Sequence, residues 1–301
     1  MKQQRYGKKG HPVVFDYCPV EATTLLPFLL EVLAPKSRTD VKSMLAHYHV
    51  RVNGTTVTQF DMPLQPSDVV SVNFTRPFPM VKDGRVHILY EDDWLVVVEK
   101  PSGMLSVGRA GDDSSTVWSL LTDYQKQHDP RASAFVCHRL DQYTSGILVF
   151  AKDGETQRKL RYQWDSFVRE RGYYAVVEGV PANEHDELRH YLLEDSGYKV
   201  HVVHGDRIPP EARLAVTRYA VVQTNGHRTL LDVHIFTGRK NQIRVQLSET
   251  GLPVAGDRKY GGGAAPRLML HNYRLSLVHP MTGDLLSFDL PAPKMFYSET
   301  R

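Results

Sequence analysis

The chain is predicted to be an α+β protein, in which a mixed, largely antiparallel sheet with flanking helices follows a small α/β unit. Two observations carry that prediction. Extended runs recur in pairs around turn residues, most clearly 214–222 with 228–236 across Thr224-Asn225-Gly226-His227, and 273–278 with 285–290 around His279-Pro280-Met281-Thr282-Gly283-Asp284. Amphipathic helical stretches lie among them, and such a mixture is stable when helices cover a sheet. At 301 residues with 41% apolar content the chain is long enough to bury a substantial core.

The first twenty residues read as a basic arm able to touch phosphates, with Lys2, Arg5, Lys8 and Lys9 among the first ten. From 21 to 76 a compact unit is expected. Leu25, Leu26, Leu29, Leu30 and Leu33 recur at helical spacing until Ala34-Pro35 stops them. A second helix should start at Ser37-Arg38-Thr39-Asp40, whose side chains can cap it, and run through Val41, Met44 and Leu45. Val50, Val52 and Val57 flank Asn53-Gly54, a hairpin signal, and 69–74 supplies a further strand. The order of these elements, with Val50-Arg51-Val52-Asn53-Gly54 and Gln65-Pro66-Ser67-Asp68-Val69-Val70, resembles the alpha-L RNA-binding domain, a small fold found first in a ribosomal protein. That resemblance implies RNA contacts from Lys36, Arg38, Lys42 and Arg51. Pro66-Ser67-Asp68 departs from the glycine usual before the aspartate.

Prolines at 77 and 79 mark a linker, expected over 77–86, and a larger domain should fill 87–297. Within it, 86–90 and 95–100 read as strands around Glu91-Asp92-Asp93, and Ser114-Ser115 can cap a helix through Trp118, Leu120 and Leu121. Ile147-Leu148-Val149-Phe150-Ala151 reads as a strand buried on both faces. Leu160, Trp164 and Phe167 share one helix face, which Gly172 is expected to end before extended chain resumes at Tyr173. Gly261-Gly262-Gly263 lacks the Lys-Ser/Thr of a nucleotide-binding loop and reads as a flexible connection.

Composition removes several functional classes. No apolar stretch approaches membrane-spanning length, and the polar, basic start lacks the apolar segment of a secretory signal, so a cytoplasmic protein with no membrane partner is expected. Cys18 and Cys137 have no metal-ligand spacing, and Cys137 reads as a buried small residue. Among fourteen histidines, His47 with His49 and His185 with His190 lack a third ligand at recognised spacing; no metal is expected. A net charge of +3 and a pI near 8.7 are compatible with nucleic acid without selecting it.

The chemistry is expected in His138-Arg139-Leu140-Asp141-Gln142-Tyr143-Thr144-Ser145-Gly146, a polar loop anchored to the buried strand that follows, with a carboxylate between an arginine and a Thr-Ser-Gly turn. Three further stretches accompany it: 91–103, ending Glu99-Lys100-Pro101-Ser102-Gly103; Thr237-Gly238-Arg239-Lys240-Asn241-Gln242-Ile243-Arg244; and 252–261, containing Gly256-Asp257-Arg258-Lys259-Tyr260-Gly261. In this order they resemble the RluA family of RNA pseudouridine synthases over nearly the whole larger domain. The resemblance implies the pseudouridine synthase fold and a cofactor-free isomerase that cuts the bond from ribose C1′ to uracil N1, turns the base and rejoins it through C5.

By the same resemblance Asp141 is the catalytic carboxylate. It serves by attacking the nucleoside or by removing a ribose proton, and both routes are open at this stage. A carboxylate in a dry pocket needs a cation, and Arg244 matches the family partner, expected to grip it bidentately from a helix whose Ile243 and Leu247 face the core. Tyr173 matches the tyrosine that stacks on the target uracil and helps move the C5 proton. Arg139 matches the arginine that fills the gap left by the extruded nucleotide. Thr144, Ser145 and Gly146 are expected to hold the loop shape, with Leu270 an apolar wall of the pocket. Lys240-Asn241 stands where the family often has Thr-His, and Arg171 replaces the usual lysine before Tyr173.

The expected partner is structured RNA bound by a monomer. Large-subunit ribosomal RNA leads because of the attached alpha-L-like unit; transfer RNA is the alternative within the family, and an inactive RNA-binding or ribosome-assembly protein is the alternative outside it. A glycoside hydrolase would need a second carboxylate facing Asp141, and none is evident.

Overall fold

The computed structural model describes residues 3–5, 13–75, 77–78, 81–108, 115–127 and 129–301. The chain divides into two compact units, Met1–Lys82 and Asp83–Arg301, so the boundary falls inside the expected linker.

The smaller unit is an antiparallel sheet carrying two helices. Its strands run in the order Gln3–Arg5, Val14–Tyr17, Val70–Asn73, Val50–Val52, Thr55–Thr56. Asn53 and Gly54, with φ of 49° and 82°, turn the expected hairpin. Asp68 accepts from the Gln65 amide and the Asn53 side-chain amide, which ties the turn before Val70–Asn73 to the hairpin. The helix Leu25–Val32 stops before Ala34-Pro35, and Arg38–Ala46 starts on a capping box in which Ser37 and Asp40 satisfy each other's backbone amides. Leu25, Leu29, Val41, Leu45 and Val72 form the core they share. The expected arm over 1–20 needs correction. Val14–Tyr17 is a strand of this sheet, so the unit begins before residue 21; Lys2, Lys8 and Lys9 lie outside the described residues.

The larger unit is built on an 11-stranded sheet. Its main path runs Val200–Val202, His185–Glu194, Arg213–Thr224, Arg228–Ile235, Val168–Glu178, Leu270–Val278, Ser145–Ala151, Leu95–Lys100, His87–Glu91. Among the described residues every pairing is antiparallel except Ser145–Ala151 against Leu270–Val278. That parallel contact lies at the sheet centre, where all seven residues of Ser145–Ala151 are buried. Gly146 sits there with φ of 122°, and a Cβ on it would lie 2.0 Å from the Asn272 carbonyl oxygen. Only glycine fits.

Several elements depart from expectation. Thr116, not Ser115, caps the helix Val117–Lys126 by pairing with Ser119, and Ser114 lies outside the described residues. Leu160, Trp164 and Phe167 do share one apolar cluster, but over two helices, Gly154–Tyr162 and Trp164–Phe167. The second ends at Phe167 and Gly172 lies within the next strand, where added bulk would meet Tyr273 and Arg274. Within the glycine run the middle position is closely packed: a Cβ on Gly262 would fall 1.9 Å from the Val254 carbonyl oxygen, whereas nothing lies within 4 Å of one on Gly261.

Candidate active site

The loop carrying Asp141 leads into the central strand and is held by its own backbone. The Thr144 amide donates to the Asp141 carbonyl at 3.1 Å, which closes a turn around the carboxylate. Behind it lies 100–106, the segment after Leu95–Lys100. Lys100, with no exposed surface, donates to the carbonyls of Gln142 (2.8 Å), Met104 (2.7 Å) and Pro101 (3.0 Å). Burial, aided by Arg267, pushes its pKa down to about 7, with Asp141 opposing. Three carbonyl acceptors call for three N–H donors, so the geometry is that of an ammonium. Ser102 and Ser106 reach the carbonyls of Tyr143 and Leu140 in the same way.

His138 fixes the other end of the loop. Its Nε2 accepts from the Val149 amide at 3.0 Å, and its ring lies 4.6 Å from that of Trp164. An acceptor nitrogen requires the neutral ring, and burial together with Arg171 pushes its pKa down to about 3. Cys137 beside it is buried as expected, with its thiol pushed up to about 12.

Arg244 projects from the helix Gln242–Glu249, whose Ile243 and Leu247 are buried in the core. Its Nη1 donates to Asp141 Oδ2 at 2.8 Å. The bidentate grip expected for Asp141 goes instead to Asp257, through Nε to Oδ2 at 2.6 Å and Nη2 to Oδ1 at 2.8 Å. Asp257 is 1% exposed, whereas the Asp141 side chain keeps 32% of its surface. The buried pair therefore clamps the guanidinium, which offers its free edge to a carboxylate open to ligand. Burial works against the Arg244 charge, but the bonds to Asp257 and Asp141 outweigh it and raise the pKa. Asn241, in the left-handed conformation before the helix, adds an Oδ1 acceptor at 3.1 Å, and the Tyr260 ring lies 5.1 Å from the guanidinium carbon.

Asp141, Tyr173, Arg244 and Arg139 line one cavity of about 2400 Å³. Tyr173 stands in Val168–Glu178 and is buried, which pushes its hydroxyl up to about 12 and keeps it protonated near neutral pH. Arg139 is exposed. Arg161, Arg171, Arg239, Lys240, Arg258, Lys259 and Arg267 share the wall, against the carboxylates Asp141, Asp165, Glu194 and Asp257. Such an excess of cations suits a polyanion. Thr144 is buried and acts through its backbone, and Leu270 is packed in the core; Leu268 supplies the apolar wall expected of Leu270.

In the smaller unit Lys36, Arg38 and Lys42 are exposed and Arg51 is half-buried. Lys36 lies over Phe74, Lys42 over Phe60 and Arg51 over Phe78. Among the described residues no group of three His, Cys, Asp or Glu side chains could hold a metal, and no helix is long and apolar enough to cross a membrane. His47 and His49 each contact a backbone carbonyl, and His190 contacts Gln246.

The functional residues that sequence reasoning left without a role are Asp257, Lys100 and Arg267. Asp257 and Lys100 stand inside two of the four motif stretches, but their partners are 13 and 42 residues away in sequence. Arg267 donates to Ser145 Oγ at 2.6 Å, and burial pushes its pKa down to about 10; no motif signalled it. Asp257 is also the nearest thing to a second carboxylate, yet it sits on the far side of the guanidinium with both oxygens engaged. A glycosidase pair facing across a substrate is therefore not what the two form.

Residues 94–249 match the family described as RNA pseudouridylate synthase. An uncharacterised RNA pseudouridine synthase of Aquifex aeolicus is 30% identical over 92% of this chain and 93% of its own. The ribosomal large subunit pseudouridine synthase D of Nitrosomonas europaea is 33% identical over 68% of this chain and 62% of its own. The dual-specificity RNA pseudouridine synthase RluA of Vibrio cholerae is 33% identical over 72% and 86%. The solved structure of human RNA pseudouridylate synthase domain containing 4 shares the fold, with a TM-score of 0.58 and 24% identity over 70% of this chain and 90% of that one.

Proposed function

The chain belongs to the RNA pseudouridylate synthase family, and we propose on that footing that Asp141 is the group through which it converts uridine to pseudouridine. The observation that carries this reading is the Asp141–Arg244–Asp257 array on the wall of a cation-rich cavity. The reaction moves no electrons to or from an outside acceptor. It needs a carboxylate that stays ionised beside the ribose, a surface to hold the freed uracil while it turns, and a route for the proton lost from C5. Arg244 fixes the rotamer of Asp141 through a charge-assisted hydrogen bond, whether the carboxylate attacks the nucleoside or takes a ribose proton. Tyr173, protonated near neutrality, offers its ring to the uracil and its hydroxyl to the proton relay. Arg139 takes the place of the flipped nucleotide in the stack, which recovers part of the few kcal/mol that flipping costs.

The substrate is structured RNA, in first place large-subunit ribosomal RNA. Relatives named for that RNA support it, as do the basic side chains poised over aromatic rings in the smaller unit, read as an alpha-L-like RNA-binding domain that begins before residue 21. A monomer acting in the cytoplasm, where that RNA is assembled, is sufficient. The reading is tested by mapping pseudouridines in large-subunit ribosomal RNA and in transfer RNA from cells with and without the gene. Loss of one or a few ribosomal sites, restored by the parent protein but not by Asp141→Asn, is the expected result. Loss confined to transfer RNA would reassign the substrate, and no loss in either would overturn the reading.

A further inference from the structure

Where Glu194 pairs with Val200, the hairpin of His185–Glu194 and Val200–Val202 turns through 195–199 beside the cavity that holds Asp141. Tyr198 lines that cavity with 74% of its surface exposed. It has φ of 62°, a left-handed conformation that a bulky side chain rarely adopts. Its neighbour Gly197 would take that conformation without strain, yet the turn places the tyrosine there. The surroundings enforce the choice. The Tyr198 amide donates to the Asp195 carbonyl at 3.0 Å, and the Asp195 carboxylate accepts from the Lys199 amide at 2.9 Å. The Tyr198 carbonyl accepts from Lys259 at 3.0 Å and Lys240 at 3.3 Å. Lys240, itself paired with Glu194, lies 5.5 Å from the centre of the tyrosine ring. A strained backbone held this firmly, presenting an open aromatic ring among ammonium groups, does nothing for the apolar core.

We propose that Tyr198 is a stacking platform for an unpaired nucleotide flanking the target uridine, with Lys240 and Lys259 meeting its phosphates. The inference rests on the RNA substrate proposed for the Asp141 site. An aromatic face with lysines beside it fits a single-stranded nucleotide, because every base has a π-face and every link a phosphate. A protein partner would call for an apolar neighbourhood instead, whereas the side chain over this ring is Lys240, paired with Glu194, and Lys259 holds the tyrosine's carbonyl.

The test compares Tyr198→Gly, Tyr198→Ala, Tyr198→Phe and Tyr198→Trp in the full chain. Readouts are thermal stability, the Kd for a labelled oligouridylate, and KM and kcat on large-subunit ribosomal RNA from cells lacking the gene. Glycine relieves the left-handed strain, so Tyr198→Gly should be at least as thermostable as the parent and yet bind and recognise RNA about tenfold more weakly, with kcat at saturation within about twofold. Phenylalanine and tryptophan should restore Kd and KM. Lys240→Gln should flatten the salt dependence of binding by about one phosphate contact. Parental Kd and KM in Tyr198→Gly would overturn the platform, as would a fall in stability that accounts for its weaker binding. A parent enzyme inactive on every RNA, but with oligouridylate binding still dependent on Tyr198, would count against the isomerase reading and leave the platform standing.

Discussion

Asp257 holds Arg244 with two bonds while Asp141 receives one, so Arg244 is a fixed cation rather than half of an isolated pair. Arg244→Ala leaves the buried Asp257 charge without its counter-ion, still held by the Lys259 and Tyr260 amides, a change worth up to about 3–5 kcal/mol in buried pairs, and should cost both stability and orders of magnitude in rate. Arg244→Lys should recover part of the rate only, since one ammonium cannot grip Asp257 and reach Asp141 together. A parental kcat/KM in Arg244→Lys would show that the guanidinium is not what positions Asp141. That Arg244 would meet Asp141 was legible in the sequence, since each sits in a distinctive motif. That its bidentate grip goes to Asp257 was not: this partner is 13 residues beyond Arg244, and which carboxylate a guanidinium grips is decided by tertiary packing. Leu270 illustrates the same limit, because one turn of chain before a strand decides whether it or Leu268 meets the cavity.

At the scale of elements, the central strand and the loop before it act as one piece. Gly146→Ala would drive a Cβ to 2.0 Å from the Asn272 carbonyl oxygen at a φ unsuited to alanine, and the loss should exceed about 3 kcal/mol, visible as insolubility or a large fall in Tm. A soluble Gly146→Ala protein melting near the parent would contradict the pairing of Gly146 with Asn272 at the sheet centre. His138 makes the same piece sensitive to acid. Its folded pKa of about 3 lies below the ordinary 6.5, so between those values the unfolded chain binds more protons than the folded one. Its contribution to stability is complete above pH 6.5 and is lost as pH falls toward 3. His138→Gln keeps an acceptor for the Val149 amide without a titrating ring, so its Tm should fall less than the parent's between about pH 6.5 and 4; equal slopes would remove His138 as a cause. Hairpins and capped helices were legible because their signals are local: Asn53-Gly54 turns as read, and Ser37 with Asp40 caps as read. Short strands such as Val14–Tyr17 were not, since four residues carry little periodicity and gain strand structure by pairing with Gln3–Arg5 and Val70–Asn73.

Across the whole molecule, the proposed function divides the work between two units: the larger would carry the reaction, and the smaller would add affinity for the RNA. Lys42→Gln in the smaller unit should weaken binding of ribosomal RNA and lower its salt slope by about one, while single-turnover rates on saturating RNA stay unchanged. Normal affinity with a normal salt slope would remove Lys42 from the RNA interface. The division into units was legible from the proline-rich stretch near residue 77, although the small unit reaches further toward the N-terminus than its leucine-rich helix suggests. The central claim is that the Asp141 carboxylate is what turns this RNA-binding scaffold into an isomerase. It is tested most directly by single-turnover pseudouridine formation with Asp141→Asn on unmodified large-subunit ribosomal RNA, with RNA affinity and Tm measured on the same preparation. Parental affinity and folding with no detectable pseudouridine is the predicted result; turnover within about tenfold of the parent would contradict the claim.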